Sequence, residues 1–429
     1  MFKIVGKQSN NYLVLDTDDN ITEEVSWEQL ISLLQKGILI EGCHETEKGY
    51  YFDIDNFDYQ IIMKGYRFRL YPDAKQREYF EKCFNACRFI WNKMLGDKID
   101  YYNQTCNNLK TYPSDYKKDF PFLKEVDSCA LAQEYMHLEK AYNNFFRYKD
   151  FGFPKFKSKR NNHKSFSTVN QNGTVEIIND KYLKIPKNKN FGLVRVKISQ
   201  PIRGTIKTIT ISKVPSGKYY ISMNVAIWHQ SLPKTDKIIG IDLGIKDLVI
   251  TSDGVKFENP RTLQKHQDKL AKLQRQLTLK QTGSNNYKKL KVKIAREHEK
   301  VANIRKDYLH KLSHKLISEN QVIISESLNV SGMIKNHRLA SSIADASWYE
   351  FTRQLDYKSY WNYRIYHQID TFYPSSQLCS VCGYRNERVK DLAIRDWICS
   401  NCGTLHDRDI NSAENIKQKG IQDLGLLVA

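Results

Sequence analysis

Cys379-Ser-Val-Cys382 is followed, after 16 residues, by Cys399-Ser-Asn-Cys402, and a glycine stands directly after each second cysteine. Two such knuckles supply four thiolates for one closed tetrahedral Zn2+ site, and Gly383 and Gly403 let each knuckle turn tightly. A stretch at about 374–404 is thereby required to fold as a ribbon around a metal. With all four positions taken by sulfur, this zinc is expected to hold structure and not to catalyse. Nine cysteines occur in all, and the start MFKIVGKQSNNYLVLD has no apolar stretch of the length a secretion signal needs. Metal binding in a reducing compartment is therefore expected, not disulfides. Cys43, Cys83, Cys87, Cys106 and Cys129 are scattered and read mostly as ordinary buried thiols.

The 429 residues include 67 Lys and Arg against 48 Asp and Glu, a formal net charge of +19. An excess of that size calls for a polyanionic partner, and nucleic acid leads. With 41% hydrophobic and 12% aromatic residues the chain is a folded one and not a basic disordered tail. No run of about 18 uncharged apolar residues occurs, so no membrane span is expected. Residues 1–60 hold 12 acidic and 4 basic side chains. This acidic stretch is read as a separate accessory α+β module, because spread through a phosphate-binding surface it would weaken it.

From residue 61 to 232 the pattern predicts a strand near residue 66, two amphipathic helices within an insertion at about 74–165, and a set of short strands forming a small β-barrel. One helix buries Phe80, Phe84, Cys87, Ile90 and Met94 on a single face, and the other spans 124–148. The segment GFPKFKSKRNNHKSF is a basic, aromatic-studded loop suited to phosphates. Residues 233–429 begin with KIIGIDLGIKDLVITSDG, continue through a long helical stretch from Thr262 to His314, and end in a tail from Ile421 that looks dispensable. Residues 261–320 carry 16 basic and 5 acidic side chains.

Three acids stand in unusual places. Asp242 lies within the apolar strand IIGIDLG, Glu326 closes the β-branched run VIISE, and Asp409 opens the helix DINSAENI. Alone, Asp242 reads equally well as a turn or N-cap residue. Together, carboxylates on apolar elements of a basic protein suggest a shared Mg2+ or Mn2+ site, because burying them uncompensated costs several kcal/mol. Two such ions about 4 Å apart can activate water and stabilise a leaving oxygen in phosphodiester hydrolysis. His310 and His314 share a helix face but lack the glutamate of HExxH, so they read as a solvated basic face. Asp247 and Asp407 read as turn or capping residues.

The set GIDLGIKDLVITSDG, SESLNVSGM, PSSQLCSVCG, WICSNCG and HDRDINSAENI resembles the TnpB (OrfB) family of transposon-encoded RNA-guided nucleases, relatives of type V CRISPR effectors. KGYRFRLYPDAKQREYFEKCFNACRFIWNKML, LEKAYNNFFR, GFPKFKSKR and RKDYLHKLSHKL agree with it, so the resemblance spans roughly 64–418. It implies an RNase H-like RuvC domain at 233–429 with an inserted zinc ribbon, preceded by a wedge-like β-barrel with a helical recognition insertion. Carried over by motif, Asp242, Glu326 and Asp409 would be the catalytic, magnesium-binding acids, and Cys379, Cys382, Cys399 and Cys402 the zinc ligands. The implied partners are a guide RNA from the transposon end and double- and single-stranded target DNA, in the cytoplasm and nucleoid of a bacterium or on a phage genome. Two departures stand out: E-S-L-N replaces the usual E-D-L-N, and the acidic 60 residues are additional. Two other readings are an RNA-guided repressor that does not cut and a transposase acting directly in mobility.

Overall fold

The computed structural model describes residues 59–426 apart from 161–163, 338 and 392, and before residue 59 the segments 2–8, 11–16, 19, 21–26, 29–30, 32–33, 38, 40–41, 43–46 and 49–52. The chain forms two compact units, residues 61–228 and residues 1–60 with 229–429. At the N-terminus, β1 (Phe2–Gln8), β2 (Asn11–Asp16) and β3 (Ile21–Ser26) form an antiparallel meander, and β4 (Ile40–Glu41) lies parallel to β1. Ile4, Tyr12, Val14, Val25, Leu30 and Ile40 make its core. β5 (Cys43–Thr46) and β6 (Gly49–Phe52) form a hairpin. The segment SWEQLISLLQKG, with a serine at its start and a glycine at its end, predicts a helix that lies largely outside the described residues.

The unit of 61–228 opens on β7 (Tyr59–Tyr71), whose Tyr66, Phe68 and Leu70 alternate inward. Asp73 then starts α1 (Ala74–Thr105) with a capping box: its carboxylate accepts from the Gln76 amide at 2.8 Å, and the Gln76 side chain accepts from the Asp73 amide at 3.0 Å. All five predicted face residues, from Phe80 to Met94, are buried. Asp127 caps α2 (Ser128–Arg147).

Six further strands follow: β8 (Lys164–Val169), β9 (Glu176–Ile178), β10 (Tyr182–Lys184), β11 (Val194–Lys197), β12 (Thr205–Lys213) and β13 (Tyr219–Gln230). The expected barrel is not closed. Among the described residues the strands run in the order β9-β10-β11-β7-β13-β12-β8, and β8 and β9 do not pair. Phe80 and Phe84 of α1 pack on Phe166 of β8, and Phe80 on Tyr219 of β13, so a helix covers the surface that closure would have enclosed.

The C-terminal part is built on a five-stranded sheet. β14 (Ile238–Asp242), β15 (Asp247–Thr251) and β16 (Lys256–Glu258) are antiparallel neighbours, while β17 (Val322–Glu326) runs parallel to β14 and to β18 (Ile365–Ile369). Their order is β16-β15-β14-β17-β18. Between β16 and β17 the predicted helical stretch is two helices, α3 (Thr262–Thr278) and α4 (Asn285–Glu319), parted by a turn that holds Gly283 at φ +86°. Next come the short α5 (Val330–Met333), α6 (Ala340–Ala346) and α7 (Trp348–Trp361); Ser347, at φ +54°, separates α6 from α7. β19 (Asp396–Ile398), β20 (Leu405–Asp407) and α8 (Arg408–Asp423) complete the unit.

Strand alternation divides the apolar residues between two layers. Ile239, Ile241 and Ile323 join Leu309, Leu312 and Leu316 of α4 and Phe351 and Leu355 of α7. Val322, Ile324 and Ile369 instead meet Ile416 of α8. The tail is not dispensable to this packing, since Ile421, Leu424 and Leu426 lie against the same cluster. Two glycines allow α8 its close approach: a Cβ on Gly240 would stand 2.1 Å from the Ala413 carbonyl oxygen, and one on Gly420 would stand 2.3 Å from Ile324. Among the described residues no helix is long and apolar enough to cross a membrane.

Candidate active site and metal centre

Asp242 and Glu326 end adjacent parallel strands on the face that α8 covers, and Asp409 lies in the first turn of α8. The carboxyls of Asp242 and Glu326 are hydrogen-bonding neighbours, and Asp409 acts on Asp242 through its charge. Burial pushes the Asp242 carboxyl well above its usual range; Glu326 and Asp409 add to this, and the Arg408 guanidinium opposes it. Burial likewise raises Glu326, against the Leu243 amide, which donates to its Oε1 at 3.4 Å. Burial thus raises both carboxyls, and a cation among these oxygens would relieve the crowding. The donor set is all carboxylate, the kind that hard divalent ions take.

Basic side chains border the acids. Arg395 reaches Asp409 at 3.3 Å, and Lys256 pairs with Asp407 at 2.6 Å. Asp407 is the N-cap of α8, accepting from the Asp409 and Ile410 amides at 3.0 and 3.1 Å, which is the capping role read for it. Asp247 begins β15 opposite Glu258. The two histidines of HKLSH part company: His314 is exposed, whereas His310 is half-buried, and burial with Lys358 and Lys306 nearby holds it down at about 4.

The four thiols are the group of potential ligands, among the described residues, whose atoms all lie within 4.8 Å of one another; the three acids form a more open set. Cys379 and Cys402 are 3.6 Å apart at sulfur, as are Cys382 and Cys399. A tetrahedron with Zn–S bonds of about 2.3 Å has edges of roughly 3.8 Å, so the arrangement fits zinc. Each knuckle repeats one pattern. Gly383 and Gly403, both at φ +73°, donate to the carbonyls of Cys379 and Cys399 at 2.9 Å. Of the remaining cysteines, Cys83 and Cys87 are buried, Cys129 is half-buried and Cys106 is exposed. The side chain of Cys43 lies outside the described residues.

Sequence reasoning missed the residues that dock the ribbon on α8. The Asn411 side chain donates to the Leu378 carbonyl at 2.7 Å and accepts from the Ser380 amide at 2.9 Å, so it brackets Cys379. Asn415, one turn on, donates to the carbonyls of Ser375 and Leu378, both at 2.7 Å. A pair of asparagines four apart on a helix, following a metal knuckle, was the available signal.

The loop expected to meet phosphates is partly consumed internally. Lys157 pairs with Glu134 and lies 4.1 Å over the Trp91 ring, and its backbone is held by Asn92; Lys155 and Lys159 remain exposed.

Three family models match the chain: one described as a probable transposase (OrfB_IS605) over 213–337, the Cas12f1-like TNB domain over 348–416, and a helix-turn-helix domain over 62–106. In the structure that last stretch is β7 and the single helix α1. A Streptomyces pristinaespiralis protein named "Putative RNA-guided DNA endonuclease" is 34% identical, with the match covering 84% of this chain and 90% of the relative. Escherichia coli K12 InsQ, bearing the same description, is also 34% identical, over 83% and 92%. The chain belongs to the TnpB (OrfB) family. TnpB-like proteins of Acanthamoeba polyphaga mimivirus match at 26–27% identity over 53% of the chain. This TnpB-family chain also shares its fold with the protein of a Cas12f1–sgRNA–target DNA complex, at TM-score 0.55 and 12% identity, covering 83% of this chain and 99% of that one.

Proposed function

We propose that this TnpB-family chain is an RNA-guided, divalent-metal-dependent DNA endonuclease of a transposable element, with Asp242, Glu326 and Asp409 as its catalytic acids. The observation that carries the reading is the Asp242–Glu326 carboxyl pair, held together at the ends of two parallel strands beside the helix that bears Asp409. The sheet order β16-β15-β14-β17-β18 with α8 across it is what an RNase H-like RuvC domain would present. Mg2+ or Mn2+ bound by these oxygens would supply an activated water and charge stabilisation at the leaving oxygen. The chain supplies the rest. Leu243 orients Glu326 through its amide, Arg395 holds Asp409, and Lys256 and Arg408 set the local potential. Guide pairing would provide sequence specificity, with a wedge-like role for 61–232 and a basic path along α3 and α4. The ribbon at 374–404 takes a structural zinc, and residues 1–60 are an accessory module.

The test is to purify the protein with its bound RNA, sequence that RNA, and present the particle with matched duplex targets in Mg2+. Cleavage is expected from the wild type. Asp242→Ala, Glu326→Ala and Asp409→Ala are each expected to bind target and not cut. A wild type that binds without cutting would favour the repressor, and RNA-independent strand transfer the transposase.

A further inference from the structure

We infer that His406 is a positioning residue that donates its Nε2–H to the Cys379 thiolate and so ties the four-sulfur site to the helix carrying Asp409. The inference rests on the zinc-ribbon reading. Nε2 of His406 lies 3.1 Å from Cys379 Sγ. His406 is 7% exposed and Cys379 1%, so water has little access to either. Cys382 and Cys402, by contrast, are exposed and can take hydrogen bonds from solvent.

The chemistry asks for such a donor. Four thiolates around a dication leave two net negative charges, and the sulfur cut off from water needs protein N–H groups to stabilise it. The imidazole is held for that purpose by its neighbours. His406 pairs with Trp397 across β19 and β20, and their rings lie 4.8 Å apart at 35°. The four sulfurs, all within 4.8 Å of one another, already supply the four ligands a tetrahedral site takes, and His406 stands beside Cys379 as a donor to it, not as a fifth ligand.

The position in the chain gives the contact its consequence. His406 immediately precedes Asp407, the cap of α8, and Asp409 follows in the first turn. Cys379 is thereby gripped at its sulfur by His406 and at its flanking peptides by Asn411. The metal centre and the third acid are consequently parts of one rigid piece.

The test uses the full chain loaded with Co2+ in place of zinc, whose thiolate-to-metal charge-transfer bands report sulfur electron density. His406→Phe keeps an aromatic ring against Trp397 and removes the N–H; His406→Gln restores a donor. Expected for His406→Phe are a four-sulfur spectrum with its charge-transfer band moved to lower energy and zinc loss to a chelator faster by about tenfold. His406→Gln should return both toward wild type. A loaded wild type with an indifferent His406→Phe overturns the inference alone, as does a cobalt spectrum of the wild type showing nitrogen coordination. A wild-type chain that takes up neither zinc nor cobalt overturns the ribbon reading and this inference with it.

Discussion

A methyl group at Gly240 measures how closely α8 must lie on the sheet. A Cβ there would stand 2.1 Å from the Ala413 carbonyl oxygen and 2.7 Å from both the amide nitrogen and Cβ of Lys417. Ordinary contact needs roughly 3.5 Å, so α8 must withdraw by about 1 Å. The nearest atom is backbone, which no rotamer change can move aside, and Gly240 has no positive φ to add a second effect. Overpacking costs about 1–3 kcal/mol, and an immovable neighbour places Gly240→Ala at about 3 kcal/mol. At roughly 2–4 °C per kcal/mol for a unit of this size, Tm should fall by roughly 6–12 °C. Asp409 moves with α8, and a displacement near 1 Å at a reacting centre costs on the order of 100-fold in rate. The measurements are thermal unfolding by circular dichroism, single-turnover cleavage of a matched duplex, and RNA binding, which should not change. Gly65→Ala, where a Cβ meets nothing within 4 Å, is the control. A Gly240→Ala protein that melts within about 2 °C of wild type and cuts at the wild-type rate would refute the reasoning.

Four further outcomes are expected. Cys399→Ser should release about one zinc per chain and weaken cutting, since structural zinc binding is itself folding free energy; metal analysis of wild type and variant decides it. Nucleic-acid affinity should fall with salt at a slope of roughly −0.9 per phosphate contact, and replacing the exposed Lys288, Lys289 and Lys293 of α4 by Gln should flatten that slope by about 2–3. His310, held near 4 when folded against an ordinary 6.5, keeps the folded chain from taking up a proton that the unfolded chain accepts, so stability is lost as pH falls from 6.5 toward 4. His310→Leu should recover about 1 kcal/mol of the loss between pH 7 and pH 5, after allowance for solvent screening, read from urea midpoints. Deleting residues 1–60 should leave guided cleavage largely intact, and a monodisperse, RNA-loaded truncation unable to cut would contradict the accessory assignment.

Much of the candidate site stood out in the sequence because its residues violate their surroundings. A carboxylate among β-branched residues, as at Asp242 and Glu326, draws notice by its burial cost, and cysteines at knuckle spacing have few other uses. His406, Asn411 and Asn415 carried no such contradiction. On a short strand or a helix of mixed polarity they look like surface residues, and only the folded ribbon turns them inward. The breaks between α3 and α4 and between α6 and α7 depend on positive-φ turns at Gly283 and Ser347, which periodicity does not register. Strand existence in 164–230 could be read from alternation, but the path through the sheet depends on pairings between residues distant in sequence, such as Leu70 with Val196.

The place of α8 in the chain also bears on how the protein is made. More than 160 residues separate β14 from α8. At ribosomal speed that interval lasts on the order of 10 s, through which Ile238, joined in its later part by Val322, Ile324 and Ile369, has no helix to cover it. The nascent sheet therefore passes through a sticky stage that favours chaperone capture or aggregation. The same helix that ends this stage delivers Asp409. Under the proposed reading, the three-acid site is therefore completed only as the apolar face is sealed.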